Sequence, residues 1–248
     1  MTAAAPTRLI LVRHGQTDAN AGGRMQGQQD VPLNDTGRRQ AADVATRLVA
    51  FAPDGIVSSD LSRAAATAEA IAAATGAPIT TDPQLREINI GTWQGKTSAQ
   101  VAADNPWYLE AIRTGADFRR SATGETSQEA AARVAEALRG LAAERAGRTT
   151  VVVGHGWALR GGLCLALGLG MEAFHVLGGL WNCSWSEVDV TDRWRLISYN
   201  NVVPRADAEA APANRAPAGA DATADRAPAS TGTEATADPA APGAGEIA

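Results

Sequence analysis

Two histidines in this sequence occupy the same kind of position. His14 and His155 each directly follow a run of aliphatic residues and directly precede a glycine, and Arg13 adjoins the first of them. A glycine beside a functional side chain permits a sharp turn and lets the backbone approach a bound group closely. Imidazole can serve as a metal ligand or a nucleophile, whereas a guanidinium binds phosphate through paired, charge-assisted hydrogen bonds. The residues therefore pose a choice between a metal site and a phosphoryl site.

The arginine favours the phosphoryl site, because a divalent cation repels a permanently charged guanidinium. The third histidine, His175, lies in an apolar stretch and is interpreted as structural. The sequence has no His-Glu-x-x-His motif, P-loop, dinucleotide-binding glycine motif or Gly-x-Ser-x-Gly elbow. We therefore expect neither a metal nor a cofactor. A histidine nucleophile that hydrolyses a phosphate monoester through a phosphohistidine is the remaining chemistry.

That chemistry also needs cations for the phosphoryl oxygens and an acid for the leaving alkoxide. Arg63 begins a predicted helix directly after a predicted strand, which places it at the same sheet edge as His14. Glu87 stands among apolar neighbours, and burial there would keep its carboxyl protonated. Arg119 and Arg120, in the connection that follows, are candidate ligands of a substrate carboxylate.

The elements that position these residues alternate between strands and helices. Hydrophobic runs predict strands at residues 8–12, 55–57, 78–81 and 149–153, and a closing hairpin at 181–190 and 194–200. Apolar periodicity and capping signals predict helices at about 34–49, 61–74, 98–103, 126–145 and 157–167. This alternation predicts an α/β fold, a three-layer α/β/α sandwich with a mostly parallel central sheet.

Composition divides the chain of 248 residues into two parts. Residues 205–248 are rich in Ala and Pro, and Ile247 is their only large aliphatic residue, so this segment is predicted to be a disordered tail. Residues 1–204 are predicted to form one domain. Most of the net charge of −5 lies in the tail. The nearly neutral domain offers no broad basic face, which argues against nucleic acid as a partner.

The cysteine content and the N-terminus narrow the cellular context. Cys164 and Cys183 are too few for a disulfide framework or a zinc site, and neither is followed five residues later by the arginine of a thiolate phosphatase. Residues 1–7 lack the apolar core of a signal peptide, and no segment is apolar enough to cross a membrane. We expect a cytoplasmic protein with a small-molecule substrate and no membrane partner; a homodimer is left open.

Several motifs resemble those of the histidine phosphatase superfamily, also called phosphoglycerate mutase-like. The similarity begins with Leu-Val-Arg-His-Gly-Gln-Thr at residues 11–17 and covers nearly all of residues 1–204. It continues at residues 24–27, 57–63, 85–95, 124–126 and 154–156. The resemblance implies a phosphoglycerate mutase-like fold with His14 as the nucleophile and Glu87 as the proton donor. It also implies phosphoryl binding by Arg13, Arg63 and His155, with auxiliary substrate contacts from Asn20, Gln26 and Gly156.

Two features favour a phosphatase within that superfamily. The mutases carry an asparagine where this chain has Trp157, and they have a longer insertion before the second histidine. Residues 24–28, 178–185 and 193–196 resemble the glucosyl-3-phosphoglycerate phosphatases. The alternatives are a cofactor-dependent phosphoglycerate mutase, an α-ribazole or broad-specificity acid phosphatase, and, outside the enzymes, a scaffold that binds a phosphorylated ligand.

Overall fold

The computed structural model describes residues 5–204, so the predicted tail at 205–248 lies outside the described residues. The strands are β1 (Thr7–Arg13), β2 (Gly55–Ser58), β3 (Ile79–Thr81), β4 (Thr149–Gly154), β5 (Trp185–Val190) and β6 (Trp194–Asn201). They form one sheet in the order β3-β2-β4-β1-β5-β6. Among these strands only β5 runs against the others, since it pairs antiparallel with both β1 and β6. The prediction of a mostly parallel sheet is confirmed.

The α-helices cover both faces of the sheet. They are α1 (Asp18–Ala21), α2 (Asp35–Leu48), α3 (Ser62–Thr75), α4 (Ser98–Asp104), α5 (Tyr108–Thr114), α6 (Ser127–Glu144) and α7 (Gly156–Ala166). Side chains alternate between the faces of a strand. In β1, Ile10 and Val12 pack against α2 and α3, whereas Leu9 and Leu11 pack against α6 and α7. The result is the predicted three-layer α/β/α sandwich.

The helix that leads into β4 begins as the sequence predicts. The Thr126 hydroxyl accepts a hydrogen bond from the Glu129 amide, and the Glu129 carboxylate accepts one from the Thr126 amide. This capping box satisfies two amides that the first turn of α6 leaves without helical partners. The helix then carries eight buried residues along one side, which fixes its register on the sheet.

The connection between β3 and α6 contains more helix than predicted. Helix α4 was expected, but α5 was not, because Pro106 precedes it and Trp107 at its N-cap makes no side-chain capping bond. The hairpin prediction is also wrong at its start, since β5 begins at Trp185 rather than at 181. Cys183 adopts a positive φ of 54°, which interrupts the extended backbone and turns residues 181–184 toward the end of β1.

Candidate active site

The two predicted histidines meet at one edge of the sheet. β1 and β4 are parallel neighbours, and the last residues of each strand, Arg13 and Gly154, are paired in register. His14 and His155 therefore follow adjacent strand ends, and their ring centroids lie 5.1 Å apart. Glycines maintain this close packing: a Cβ on Gly15 would lie 2.5 Å from the Gly37 carbonyl oxygen. The prediction that the two histidines share a crevice is confirmed.

His14 has the geometry of a nucleophile. It is 2% exposed, and its Nδ1 lies 2.7 Å from the Gly15 carbonyl oxygen. A carbonyl oxygen can only accept, so Nδ1 carries the proton and Nε2 keeps its lone pair. Burial, followed by the charges of Arg63 and Arg13, holds the pKa of His14 well below its usual value. The imidazole is therefore neutral and nucleophilic at physiological pH.

His155 is fully buried and has a different hydrogen-bonding arrangement. Its Nε2 lies 2.9 Å from Ser59 Oγ, while its Nδ1 has no hydrogen-bond partner among the described residues. Burial is the main cause that lowers its pKa well below the usual value, and Arg63 adds to it. Ser59 Oγ itself accepts from the Leu61 amide at 3.4 Å, so its hydroxyl proton can be donated to Nε2. That donation places the ring proton on Nδ1.

The two arginines are held in place by backbone carbonyls. Arg63 donates from Nη1 to the Gln29 carbonyl and from Nη2 to the Gly27 carbonyl, both at 2.8 Å. Burial lowers the pKa of Arg63 to about 10, so the side chain remains charged at neutral pH. Arg13 donates from Nη1 to the Leu180 carbonyl. Each guanidinium is thus oriented by a neutral acceptor and keeps its positive charge available to a ligand.

Three buried nitrogens in this crevice have no partner among residues 5–204. They are Arg13 Nε, Arg63 Nε and His155 Nδ1. Buried polar groups in folded proteins are nearly always satisfied, and an exception calls for a ligand or another explanation. Gly156 lets the start of α7 approach this group, because a Cβ there would lie 3.1 Å from Arg13 Nε. The arrangement suits an anion with several oxygens.

Glu87 has an environment that the sequence does not predict. It is half-buried rather than enclosed by apolar neighbours, and backbone amides hold its carboxylate. Oε1 accepts from the amides of Ile88 and Ala158 at 2.9 Å, and Oε2 accepts from the Trp157 amide at 3.2 Å. The expectation of burial among apolar side chains is wrong, because two of these donors come from the first turn of α7, about 70 positions further along the chain.

Asn20 and Gln26 both contact Thr17, which lies three positions after His14 in the sequence. Asn20 Oδ1 accepts from the Thr17 amide at 3.1 Å, and Gln26 Oε1 lies 2.9 Å from Thr17 Oγ1. With both amide oxygens engaged, each side chain still offers its NH2 group as a donor. This is the orientation that an oxyanion ligand requires.

Sequence reasoning missed two residues that hold the histidines. Ser59 was visible only as part of a strand end, and its partner His155 lies 96 positions away. Asn182 lies within residues 178–185, one of the segments that carry the resemblance, but no role was predicted for it. The structure places its Nδ2 3.0 Å from the His14 carbonyl oxygen and 3.4 Å from Asn20 Oδ1, so it links the nucleophile's backbone to a predicted substrate contact.

The predicted pair Arg119 and Arg120 separates into two environments. Arg119 is half-exposed and bonds to the Gly124 carbonyl and the Glu129 carboxylate. Arg120 is 7% exposed, bonds to the Phe118 carbonyl and Ser127 Oγ, and lies 5.3 Å from the ring centroid of Trp157. Since the Trp157 amide donates to Glu87, Arg120 is the member of the pair that approaches the catalytic edge.

Within residues 5–204, no group of three or more His, Cys, Asp or Glu side chains is placed to hold a metal ion. Among the helices of the same residues, none combines the length and the apolar character needed to cross a membrane.

A neutral buried histidine with a free Nε2, enclosed by unpaired cationic and imidazole donors at the edge of an α/β sheet, defines a phosphoryl-transfer site. Comparison with known proteins agrees: the sequence model of the histidine phosphatase superfamily (branch 1) matches residues 9–202. The chain belongs to this superfamily, and it is a phosphatase, a hydrolase of phosphate esters.

Several relatives share most of their length with this chain. It is 39% identical to glucosyl-3-phosphoglycerate phosphatase of Mycolicibacterium vanbaalenii over 78% of this chain and 94% of that protein. A probable phosphoglycerate mutase of Yersinia pestis is 38% identical over 73% of this chain and 84% of that protein. The structure of mycobacterial glucosyl-3-phosphoglycerate phosphatase with VO3 is 39% identical, with a TM-score of 0.71, over 78% of this chain and 98% of that one.

Proposed function

We propose that the chain hydrolyses a small phosphate monoester in two steps through a phosphohistidine at His14 Nε2. In the first step the Nε2 lone pair attacks phosphorus, the bond to the ester oxygen breaks, and the leaving alcohol takes a proton from Glu87. In the second step water attacks phosphorus, Glu87 accepts the water proton, and inorganic phosphate leaves with His14 restored. The observation that carries this proposal is the set of three unpaired buried nitrogens beside His14.

Those nitrogens supply the electrostatic part of the mechanism. Arg13 and Arg63 would neutralise the phosphoryl oxygens as charge develops, and His155 would donate from Nδ1. Because carbonyls and Ser59 already hold these side chains, little reorganisation is needed when the substrate binds. Asn20, Gln26 and the backbone of Gly156 would complete the contacts to oxygen.

Glu87 can carry the catalytic proton on one particular oxygen. Its Oε1 accepts two amide hydrogen bonds, whereas Oε2 accepts only one among the described residues. Oε2 therefore has the lone pair on which a proton can sit. The amides then act as a fixed cradle that aims Oε2 at the leaving oxygen.

The relatives suggest the substrate. We propose glucosyl-3-phosphoglycerate, the compound named for the mycobacterial enzymes, as the physiological ester. The leaving group of this ester carries a carboxylate. Arg120 could bind that carboxylate, because its guanidinium lies next to Trp157, whose amide donates to Glu87. We expect Arg119 to contribute less, because Glu129 already pairs with it.

Steady-state hydrolysis of a panel of esters tests both the proposed reaction and the proposed substrate. The panel contains glucosyl-3-phosphoglycerate, 3-phosphoglycerate, phosphoserine, α-ribazole phosphate and p-nitrophenyl phosphate, each assayed with and without EDTA. We expect the highest kcat/KM for glucosyl-3-phosphoglycerate and no loss in EDTA. Preference for another ester would change the substrate, whereas phosphoryl exchange from 2,3-bisphosphoglycerate faster than hydrolysis would make the chain a mutase.

A further inference from the structure

A cavity of about 70 Å³ is lined by Trp157, the residue whose amide donates a hydrogen bond to Glu87. Its walls come from α5, the chain at residues 115–120, the first turns of α6 and α7, and the 3₁₀ turn Met171–His175. None of the phosphoryl-binding residues lines it. The mechanism above leaves this cavity without a role.

Trp157 contacts both the cavity and the proposed proton donor, Glu87. Its amide donates to Glu87 Oε2, the oxygen proposed to carry the proton, while its indole lines the cavity. An alcohol that receives its proton from Glu87 therefore leaves beside Trp157. Any bulky part of that alcohol needs space next to this residue, and the cavity provides it.

The lining of the cavity combines aromatic side chains with hydrogen-bond donors and acceptors. The Trp157 ring packs against Phe174 with centroids 4.1 Å apart, and Ile112 and Met171 extend the apolar surface. Arg120 and Gln128 supply donors, and Asp117 supplies acceptors. A sugar ring has apolar C–H faces and a rim of hydroxyls that both donate and accept, so it matches this mixture better than an alkyl chain or a simple anion.

Charge also separates this cavity from the phosphoryl site. Asp117 opposes Arg120 among the lining residues, and its carboxylate accepts hydrogen bonds from the amides of Ser127 and Gln128. Arg120 is stacked over Phe118 at 4.0 Å. The Asp117 carboxylate would repel an anionic group bound in the cavity, but not an uncharged one. The lining thus favours the neutral part of a leaving group.

We propose that this cavity is the subsite for the glycosyl part of the substrate, with the sugar next to Trp157 and hydrogen-bonded by Gln128 and Asp117. The inference rests on the proposed function, because it assigns a place to the leaving group of that reaction. It adds that selectivity for a glycosylated ester resides in the connection before α6 and in the 3₁₀ turn, outside the residues that contact phosphorus.

Two cavity variants and one control test the subsite. A116L fills the cavity from an exposed position, and Q128A removes a polar group, whereas A132L makes the same enlargement at an exposed position of α6 outside the cavity lining. We expect about a tenfold loss of kcat/KM for glucosyl-3-phosphoglycerate in both cavity variants. For p-nitrophenyl phosphate, which has no sugar, all three variants should match the wild type. Equal losses on both esters, or no loss on either, would overturn the subsite.

A binding measurement separates failure of the subsite from failure of the proposed substrate. Glucosylglycerate and glycerate are compared as competitive inhibitors of p-nitrophenyl phosphate hydrolysis, which does not require the wild type to hydrolyse any glycosylated ester. We expect glucosylglycerate to inhibit wild type and A132L more strongly than glycerate, and A116L to lose the difference. If wild type shows that difference but prefers another ester in the panel, the substrate proposal fails and the subsite stands. If it shows no difference, the subsite is wrong.

Discussion

The phosphoryl site is assembled from the ends of β1, β2 and β4. The cavity beside Trp157 is assembled from α5 and residues 115–120, the first turns of α6 and α7, and the 3₁₀ turn Met171–His175. In the first region, buried charged and imidazole groups are fixed by backbone carbonyls and by Ser59. In the second, aromatic rings and a stacked arginine set the shape. On the proposed assignments, the sheet ends would carry the reaction and the cavity would select the leaving group.

The two regions also differ in how far their titratable residues are buried. His14, Arg63 and His155 are almost fully removed from water, and that desolvation lowers the pKa of each. Around the cavity, Asp117 and His175 are exposed. Electrostatic interactions are stronger in the drier region. Substitutions there should accordingly change the chemical step for every substrate, while those at the cavity should change preference among substrates.

Removal of the nucleophile gives the largest expected effect. H14A should lower kcat by at least about 10⁴-fold for every ester, because the remaining cations cannot replace a covalent intermediate. H175Q is the matched control for p-nitrophenyl phosphate, which has no sugar, since His175 is exposed and lies outside the phosphoryl site. The measurement is steady-state hydrolysis together with trapping of acid-labile phosphoenzyme. Hydrolysis by H14A near the wild-type rate, or phosphoenzyme formed in its absence, would contradict the assignment of His14.

Removal of the acid should discriminate among leaving groups. E87Q keeps the amide contacts at one oxygen but cannot give up a proton, so hydrolysis of alkyl phosphates should fall by about 10²- to 10⁴-fold. Hydrolysis of p-nitrophenyl phosphate should fall far less, because nitrophenolate leaves without protonation. The check is the slope of log kcat/KM against leaving-group pKa, which should steepen in E87Q. An unchanged slope would exclude Glu87 as the acid.

The phosphoryl site was largely predictable because strand ends bring residues together by backbone geometry alone. His14 and His155 follow parallel neighbours, and Arg63 begins the helix after a third strand of the same edge. The environment of Glu87 was not predictable, since its amide donors belong to α7, about 70 positions away. The roles predicted for these residues stay predictions until the variants are measured.

The connection before α6 was the poorly predicted region for a physical reason. Helix α5 lacks a side-chain capping bond at its start and follows a proline, so the sequence does not signal where it begins, and tertiary contacts fix its place. Those contacts include Tyr108, which packs edge-to-face on Trp93 with centroids 5.5 Å apart. Nothing in the sequence indicates that Tyr108 packs on Trp93. The cavity, which depends on where α5 lies, could not be foreseen.

Acid should destabilise the protein through the histidines of the phosphoryl site. The pKa values of His14 and His155 lie well below 6.5 in the folded state, mainly because both are buried. Below about pH 6.5 the unfolded chain therefore binds protons that the folded chain does not, so unfolding is favoured as the pH falls. Each histidine should weaken folding by up to about 1.4 kcal/mol per pH unit in that range.

Thermal unfolding of wild type, H155Q and H175Q at pH 7.5, 6.5 and 5.5 measures this contribution. H155Q should lose less stability than wild type over the interval, because one proton-linked group is gone. H175Q serves as the control for replacing a histidine that is exposed on the cavity side. If stability fell equally with pH in all three proteins, the buried histidines would not cause the loss of stability in acid. The difference in burial between the two regions would then have no effect on stability.

The smallest expected effect separates the two neighbouring arginines of the connection. R120K keeps the charge but loses the planar group that stacks on Phe118 and reaches Ser127, so about a tenfold loss is expected for an ester with a carboxylate. R119K should change little, because Arg119 lies in an exposed pair with Glu129. Comparing 3-phosphoglycerate with glycerol 3-phosphate isolates the carboxylate, since the two esters otherwise share their carbon skeleton. If R120K lowers kcat/KM equally for both esters, Arg120 does not bind the carboxylate but acts on Glu87 through Trp157. Trp157 would then belong to the catalytic site as well as to the cavity that selects the substrate.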